Sequence, residues 1–255
     1  MDDIRFREDF KHLVDLIDSS RAMTAFTGAG VSTLSGIPDF RGSHGVYTDS
    51  WNGMDVEEII SLDFFAKHPE VFYAWAKDVW YHLEDYEPNV VHRTLASLEK
   101  KGILKALYTQ NIDMLHQRAG SKNVYEVHGG PEHHHCTKCH AEYGYDYVAP
   151  IVRAGEVPRC TKCGGVIKPD IVFYGENLDE NVLQSAWRDF SNTDLCLVLG
   201  SSLVVQPAAS FPVIAFRSGA KVVIVNAQPT SQDYYATLRF DDLGQTFEAL
   251  SKVYG

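Results

Sequence analysis

Four cysteines stand as two Cys-x-x-Cys pairs, Cys136 with Cys139 and Cys160 with Cys163, and twenty residues separate the pairs. Soft thiolates at that spacing suit a tetrahedral zinc ion. Four protein ligands leave no open position for water, so such a metal is structural rather than catalytic. Two disulfides are the alternative. However, the first residues, MDDIRFREDF, carry no basic-then-apolar export pattern, and a reducing cytoplasm keeps thiols free. Cys196 lies in the apolar run LCLVLG and reads as a small buried hydrophobe. His133, His134, His135 and His140 flank the first pair; with four cysteines at hand they read as surface residues rather than ligands.

A second kind of chemistry gathers at TGAGVSTLSGIPDFRG, residues 27–42. Gly28 and Gly30 suit a tight turn against a pyrophosphate, yet the third glycine of G-x-G-x-x-G is replaced by Thr33. Ser35, Gly36, Pro38 and Gly42 follow, so a long broken loop is expected where a helix would otherwise run. Other polar residues come directly after apolar runs: Gln110, Asn111 and Asp113 after ILKALYT, His128 after VYEV, Gly200, Ser201 and Ser202 after LCLVL, and Asn226 after KVVIV. A histidine with an ordinary pKa of about 6.5 keeps a neutral fraction able to act as a general base. Asn111 and Asp113 are also able to cap the short helix MLHQRAG.

The elements that position these groups alternate. Phe6, Phe10, Leu13, Val14 and Ile17 recur at helical spacing, and AMTAF (22–26) follows as a strand. Helices are expected near 55–83, 90–101, 114–120, 179–190, 207–218 and 244–253. Strands are expected at 103–109, 124–128, 171–175, 195–200 and 221–226. Continuously apolar strands between helices imply a parallel sheet covered on both faces. The fold class is therefore α/β, doubly wound and Rossmann-like, with ligands at the carboxyl ends of the strands. One catalytic domain over 1–255 is expected. Its Rossmann-like part covers about 10–35, 88–130 and 169–250, a helical cofactor-loop part about 36–87, and an inserted zinc module about 131–168.

A formal net charge of −11 over 255 residues argues against a general nucleic-acid binder and favours basic partners such as lysine-rich peptides. No apolar run approaches the ~20 residues that span a bilayer, so a cytoplasmic protein without membrane contact is expected. Oligomeric state is not legible.

GAGVSTLSGIPDFRG, TQNID (109–113), HG (128–129), the paired Cys-x-x-Cys, PDIVFYGEN (169–177), GSSLVVQP (200–207) and VN (225–226) occur in the order and spacing of the sirtuins, NAD-dependent protein deacylases. The resemblance runs from about residue 10 to 250 and is to a compact bacterial or archaeal-type member. It implies NAD as co-substrate, structural zinc, and an acyl-lysine protein or peptide as partner. The broken loop then corresponds to a mobile segment that orders over NAD. Gly28, Ala29 and Gly30 would admit the pyrophosphate and Arg41 would bind a phosphate, while Asp39 and Phe40 would lie beside the nicotinamide ribose. Gln110 and Asn111 would hold ribose hydroxyls or a water near C1′, and Ile112 with Asp113 would receive the nicotinamide carboxamide. Gly200, Ser201, Ser202 and Asn226 resemble adenosine-side contacts.

The family reaction cuts the nicotinamide–ribose bond. The acyl-lysine amide oxygen attacks C1′, and His128, aided by Asn111, acts as base on a ribose hydroxyl that attacks the resulting imidate. Free lysine, nicotinamide and O-acyl-ADP-ribose leave. Val172, Phe173, Tyr174, Gly175, Glu176 and Asn177 resemble the substrate-pairing strand, and Phe40, Ile112, Val172, Tyr174 and Val204 are candidates for the acyl tunnel. Tyr174 replaces a frequent phenylalanine, and Gly130 stands where serine, threonine or asparagine commonly follows His-Gly. Relatives that remove charged acyl groups carry Tyr-x-x-Arg; here the stretch is Tyr73-Ala74-Trp75-Ala76, followed by Lys77, so uncharged acyl groups are expected. An ADP-ribosyltransferase using the same NAD site, or a non-catalytic zinc ribbon, are the alternatives.

Overall fold

The computed structural model describes residues 3–39 and 50–255. Among the described residues the strands are β1 (Met23–Thr27), β2 (Leu104–Thr109), β3 (Val124–Glu126), β4 (Gly129–Cys136), β5 (Glu142–Gly144), β6 (Ile167–Ile171), β7 (Leu195–Leu199), β8 (Lys221–Val225) and β9 (Leu238–Phe240). Six of them form a parallel sheet in the order β3-β2-β1-β7-β8-β9. The winding direction reverses between β1 and β7, and an open α/β sheet leaves a crevice at such a reversal.

The helices are α1 (Asp3–Ser19), α2 (Val56–Ile59), α3 (Leu62–Lys67), α4 (Pro69–Val79), α5 (Val90–Lys100), α6 (Leu115–Arg118), α7 (Tyr145–Arg153), α8 (Glu180–Asn192), α9 (Phe211–Arg217) and α10 (Leu243–Tyr254). Leu195, Leu197 and Leu199 of β7 pack in one core with Leu13 of α1, Leu95 of α5 and Phe247 of α10. Cys196 and Val198 of the same strand pack in the other, with Phe190 of α8 and Phe211 of α9. Alternate side chains thus enter two different cores, and the strand has to be apolar throughout.

Several expectations are corrected. Residues 171–175 do not form a strand of the parallel sheet. After β3, Gly129 turns the chain at φ +70° into β4, and β6 pairs antiparallel with β4 in a separate three-stranded sheet, β5-β4-β6. Beyond Ile171 the pairing continues through the Val172 N–H on His128 O and an isolated bridge between Ser61 and Tyr174. The stretch 55–83 is three short helices, because the Ser61 side chain caps α3 and Pro69 starts α4. β9 escaped notice because it is a three-residue edge strand that carries Arg239. His134 is not on the surface: it is fully buried, with Nε2 2.9 Å from the Tyr81 hydroxyl.

The short helices and the three-stranded sheet share a third, aromatic core, in which Phe65, Phe72 and Trp75 meet Val148, Ile167 and Phe173. Beneath the end of β1 lie two buried histidines, His92 and His116, with ring centroids 4.7 Å apart. Nδ1 of His92 accepts from the Asn89 N–H at 3.1 Å, and Nε2 of His116 is 3.0 Å from Thr27 Oγ1. Burial pushes His92 down to about 4 and His116 well below the ordinary 6.5. The unfolded chain therefore binds more protons once pH drops below 6.5. Stability is complete above that pH and is lost as pH falls toward 4, by about 3 kcal/mol for His92 alone. Urea titrations at pH 7.5, 6 and 5 should show a midpoint that falls with pH, and His92→Gln should flatten that slope.

Candidate active site

Four strand ends, those of β2, β1, β7 and β8, are locked in a row by main-chain bonds that continue past the strands. The N–H of Gly28 donates to Leu199 O at 3.0 Å, that of Gly30 to Gly200 O at 2.9 Å, that of Gly200 to Val225 O at 2.9 Å and that of Gln110 to Thr27 O at 2.9 Å. A Cβ on Gly28 would lie 2.7 Å from Gly200 O, and one on Gly30 2.8 Å from Gly200 Cα. At Gly200, where φ is +59°, a Cβ would meet Val31 N at 2.6 Å. These glycines are required first by the close packing of the β1 and β7 ends on each other. Seven residues of 3₁₀ helix, Ala29–Ser35, follow the turn; the helix-breaking expectation applies only from Gly36 onward.

A cavity of about 980 Å³ runs along these ends, and Ala29, Gly30, Asp39, Ile112, Gly200 and Ser202 are among its walls. Following the sheet order, Asn226 and Asp242 line it beyond β8 and β9, Ser201 and Gln110 in the middle, and His128 beyond β3. Phe40 and Arg41 lie outside the described residues. Asp241 and Asp242 after β9, which the resemblance sets at the C-terminal edge bordering the adenine without a fixed register, also line the cavity, whereas Ile60 and Trp80 from the helical segment were missed by sequence reasoning. The polar residues after a strand end were a signal for the first two, whereas nothing local marked the apolar pair.

The hydrogen bonds assign donors and acceptors. Nδ1 of His128 lies 3.1 Å from Gln110 O. A carbonyl only accepts, so Nδ1 carries the proton and the neutral ring offers Nε2 as the basic nitrogen. Asn111 is buried, and its Nδ2 donates to Gly28 O at 3.1 Å and to Ser32 Oγ at 2.9 Å. With both amide hydrogens used, Oδ1 is the atom left to accept. Ser32 donates onward to Asp113 Oδ2, while Asp113 Oδ1 receives the Leu115 N–H at 2.9 Å. The Asn111 amide bonds elsewhere, while Asp113 satisfies the first N–H of α6 from outside the cap position, which Met114 holds, and keeps a place at the site. Burial raises its carboxyl above the ordinary range against these bonds. Ser32, the hub of this network, was overlooked because a serine beside glycines reads as turn chemistry. Ser201 donates to Gln110 Oε1 at 2.7 Å, which leaves the Gln110 amide hydrogens for a ligand. Beside this network a smaller cavity of about 120 Å³ is lined by Ser32, Pro38, Trp80, Asn111, Ile112 and Asp113.

The segment after β6 forms the opposite wall. Val172 N–H donates to His128 O at 2.8 Å, Tyr174 N–H to Ile60 O at 3.0 Å, and Leu62 N–H to Tyr174 O at 2.9 Å. The Phe173 ring packs 5.4 Å from Phe65 and 5.0 Å from Phe72. Gly175, Glu176 and Asn177 continue the lining. Val204 does not line it: Leu203 takes the buried position, and Val204 is left 62% exposed while Val205 faces the cavity. The Tyr174 hydroxyl points to the exposed lip, 3.3 Å from Glu57 Oε1. Tyr73 donates its hydroxyl to Ile167 O, away from the cavity, and Ala76 is fully buried. Gly130 leaves room for a carboxylate: a Cβ there would lie 2.7 Å from Glu126 Oε2, and burial pushes Glu126 up to about 7.

The four cysteine sulfurs all lie within 4.8 Å of one another, with closest pairs at 3.3 and 3.5 Å. Tetrahedral zinc–sulfur bonds require a separation of about 3.8 Å. The N–H groups of Lys138 and Lys162 point at Cys136 and Cys160 sulfurs at 3.4 Å, and a Cβ on Gly165 would sit 2.7 Å from Cys136 Sγ. The donor set and its cradle fit a structural zinc ion. Among the described residues no helix is long and apolar enough to cross a membrane.

The Sir2 family model matches residues 28–207. The NAD-dependent protein deacetylase of Thermotoga maritima is 46% identical over 231 residues, 91% of this chain and 92% of that protein. A Sir2 variant complex with deacetylated p53 peptide and 3′-O-acetyl ADP ribose superposes with a TM-score of 0.89, at 44% identity and 96% coverage of both chains. Sir2Tm bound to a propionylated peptide gives 0.85, at 43% identity and the same coverage. With this family model covering most of the chain and the fold superposing throughout, the protein belongs to the Sir2 family.

Proposed function

We propose that this protein is an NAD-dependent protein-lysine deacylase that moves an uncharged acyl group from lysine to ADP-ribose and releases nicotinamide. The observation that carries the mechanism is the orientation of His128, whose protonated Nδ1 is held by Gln110 O while Nε2 is left as the base in a cavity bounded by β-strand ends. NAD lies along those ends. Its adenosine is placed near Asn226, its pyrophosphate at Ala29 and Gly30, and its nicotinamide in the smaller cavity beside Ile112 and Asp113. Oδ1 of Asn111 accepts from a ribose hydroxyl or a water near C1′. Once the amide oxygen has displaced nicotinamide, His128 takes the proton of a ribose hydroxyl, which then attacks the imidate carbon.

The peptide lies extended along Gly175–Asn177. The main-chain groups of Gly175 and Asn177 have no partner among the described residues, which supports strand-like addition there. Zinc would be held by Cys136, Cys139, Cys160 and Cys163, where it would supply structure only. The division of labour follows the chain, with about 10–35, 88–130 and 169–250 serving the nucleotide and about 131–168 the metal. The net charge of −11 suits lysine-bearing cytoplasmic partners and disfavours nucleic acid and membrane surfaces.

Incubation with acetyl-lysine peptide and NAD should yield nicotinamide, deacetylated peptide and O-acetyl-ADP-ribose in equal amounts. ADP-ribose bound to protein without deacylation would support a transferase instead. In an acyl panel, acetyl and propionyl peptides should exceed succinyl peptide in kcat/KM by at least about tenfold, because a buried carboxylate would lack a cation. A succinyl preference would overturn the uncharged-acyl reading.

A further inference from the structure

Lys168 lies on β6, three residues before the cavity wall begins at Ile171, yet its side chain is only 3% exposed. An ammonium taken so far from water has to be surrounded by acceptors. Its Nζ lies 2.8 Å from Glu176 Oε2, 2.8 Å from Ile171 O and 3.1 Å from Pro169 O, and 4.0 Å above the centre of the Phe173 ring. Three oxygens account for its three protons, and the ring face covers another side.

All four partners belong to one short stretch, 169–176. Glu176 closes the stretch on itself: its N–H donates to Phe173 O at 2.9 Å, and its carboxylate receives the Phe173 N–H at 2.8 Å. One ammonium thus gathers both ends of the segment whose inner face lines the cavity from Ile171 to Asn177. A cation so fully engaged has no proton left for a substrate carboxylate, so it does not replace the arginine that Ala76 lacks.

We propose that Lys168 is a positioning residue for the acyl-peptide: with Glu176 it holds the 169–176 segment in the shape that pairs with the extended substrate. This rests on the assignment of that segment as the peptide-binding wall. Because the clamp touches the peptide side and no NAD contact, its loss should act on peptide affinity alone. Lys168→Met, which keeps the stem over Phe173 but removes the charge, should raise KM for acetyl-peptide about tenfold or more while kcat at saturating peptide stays within about threefold. NAD affinity by calorimetry should stay at the parental value. Lys168→Arg, which retains charge and donors, should restore KM to within about threefold of the parent.

Glu176→Gln guards against a folding defect in the methionine variant, since it keeps an acceptor for the Phe173 N–H while removing the ion pair. It too should raise peptide KM in a protein that remains folded at the assay temperature, although loss of the counter-charge lowers the melting temperature. A parental KM in a folded Lys168→Met, or in Glu176→Gln should Lys168→Met not fold, would overturn the inference, and so would a loss confined to kcat or to NAD binding. Absence of deacetylation by the parent protein would instead remove the functional reading on which it rests.

Discussion

Replacing His128 with alanine is expected to lower kcat/KM for acetyl-peptide by about 10²- to 10⁴-fold, the range a positioned general base supplies. The argument follows from proton placement. Nδ1 is committed to Gln110 O, so the only basic atom the neutral ring offers the cavity is Nε2. Base action is needed after nicotinamide has left C1′, when the ribose hydroxyl attacks the imidate. Exchange of labelled nicotinamide into NAD in the presence of acetyl-peptide should therefore survive in His128→Ala although product formation does not. The side chain contributes no ladder hydrogen bond, because it is the main-chain O of His128 that receives Val172 N–H; the melting temperature should stay close to the parental one. Parental deacetylation by this variant would contradict the assignment.

Removing the metal should have the other large effect. Structural zinc binding is worth about 10–16 kcal/mol in small metal-dependent modules. Here Cys136 and Cys160 sit in the same core as Phe72, Val148 and Phe173. β4 begins at Gly129, directly after His128, and β6 ends at Ile171, where the cavity wall begins. Disorder in the three-stranded sheet therefore reaches both the catalytic histidine and the peptide-binding segment. Chelation, or Cys160→Ser, should cut deacetylase activity to below about a tenth and abolish hydrogen-exchange protection over 129–171. Protection of β1, β7 and β8 should persist, because their core is built from Leu95, Leu197 and Phe247 rather than from the module. Added zinc should restore the chelated parent. Full activity and intact protection after verified metal loss would refute a structural role.

Much of this architecture is legible in sequence because burial on two faces leaves no polar position inside a strand. Leu195–Leu199 is buried at every residue, and the polar residues that end such runs are by necessity at the crevice. His128, Asn111 and Ser201 were visible for that reason, and the cysteine spacing was visible because zinc geometry restricts it. What escaped depends on partners far away in the chain. Trp80 and Ile60 reach the cavity only because Tyr174 pairs with the Ile60–Leu62 turn. His134 is buried because Tyr81, fifty-three positions earlier, supplies its hydrogen bond. The pairing of β6 with β4 depends on a turn at Gly129, where a Cβ would lie 1.9 Å from Asp170 O; no local pattern encodes that neighbour.

The most direct measurement is a crystal structure of the protein with acetyl-lysine peptide and a non-hydrolysable NAD analogue. The account predicts Nε2 of His128 within about 3.2 Å of a nicotinamide-ribose hydroxyl, or joined to it by one water, with Asn111 Oδ1 on the same sugar. An imidazole farther from the ribose than a single bridging water, with the nucleotide seated along the strand ends, would contradict it.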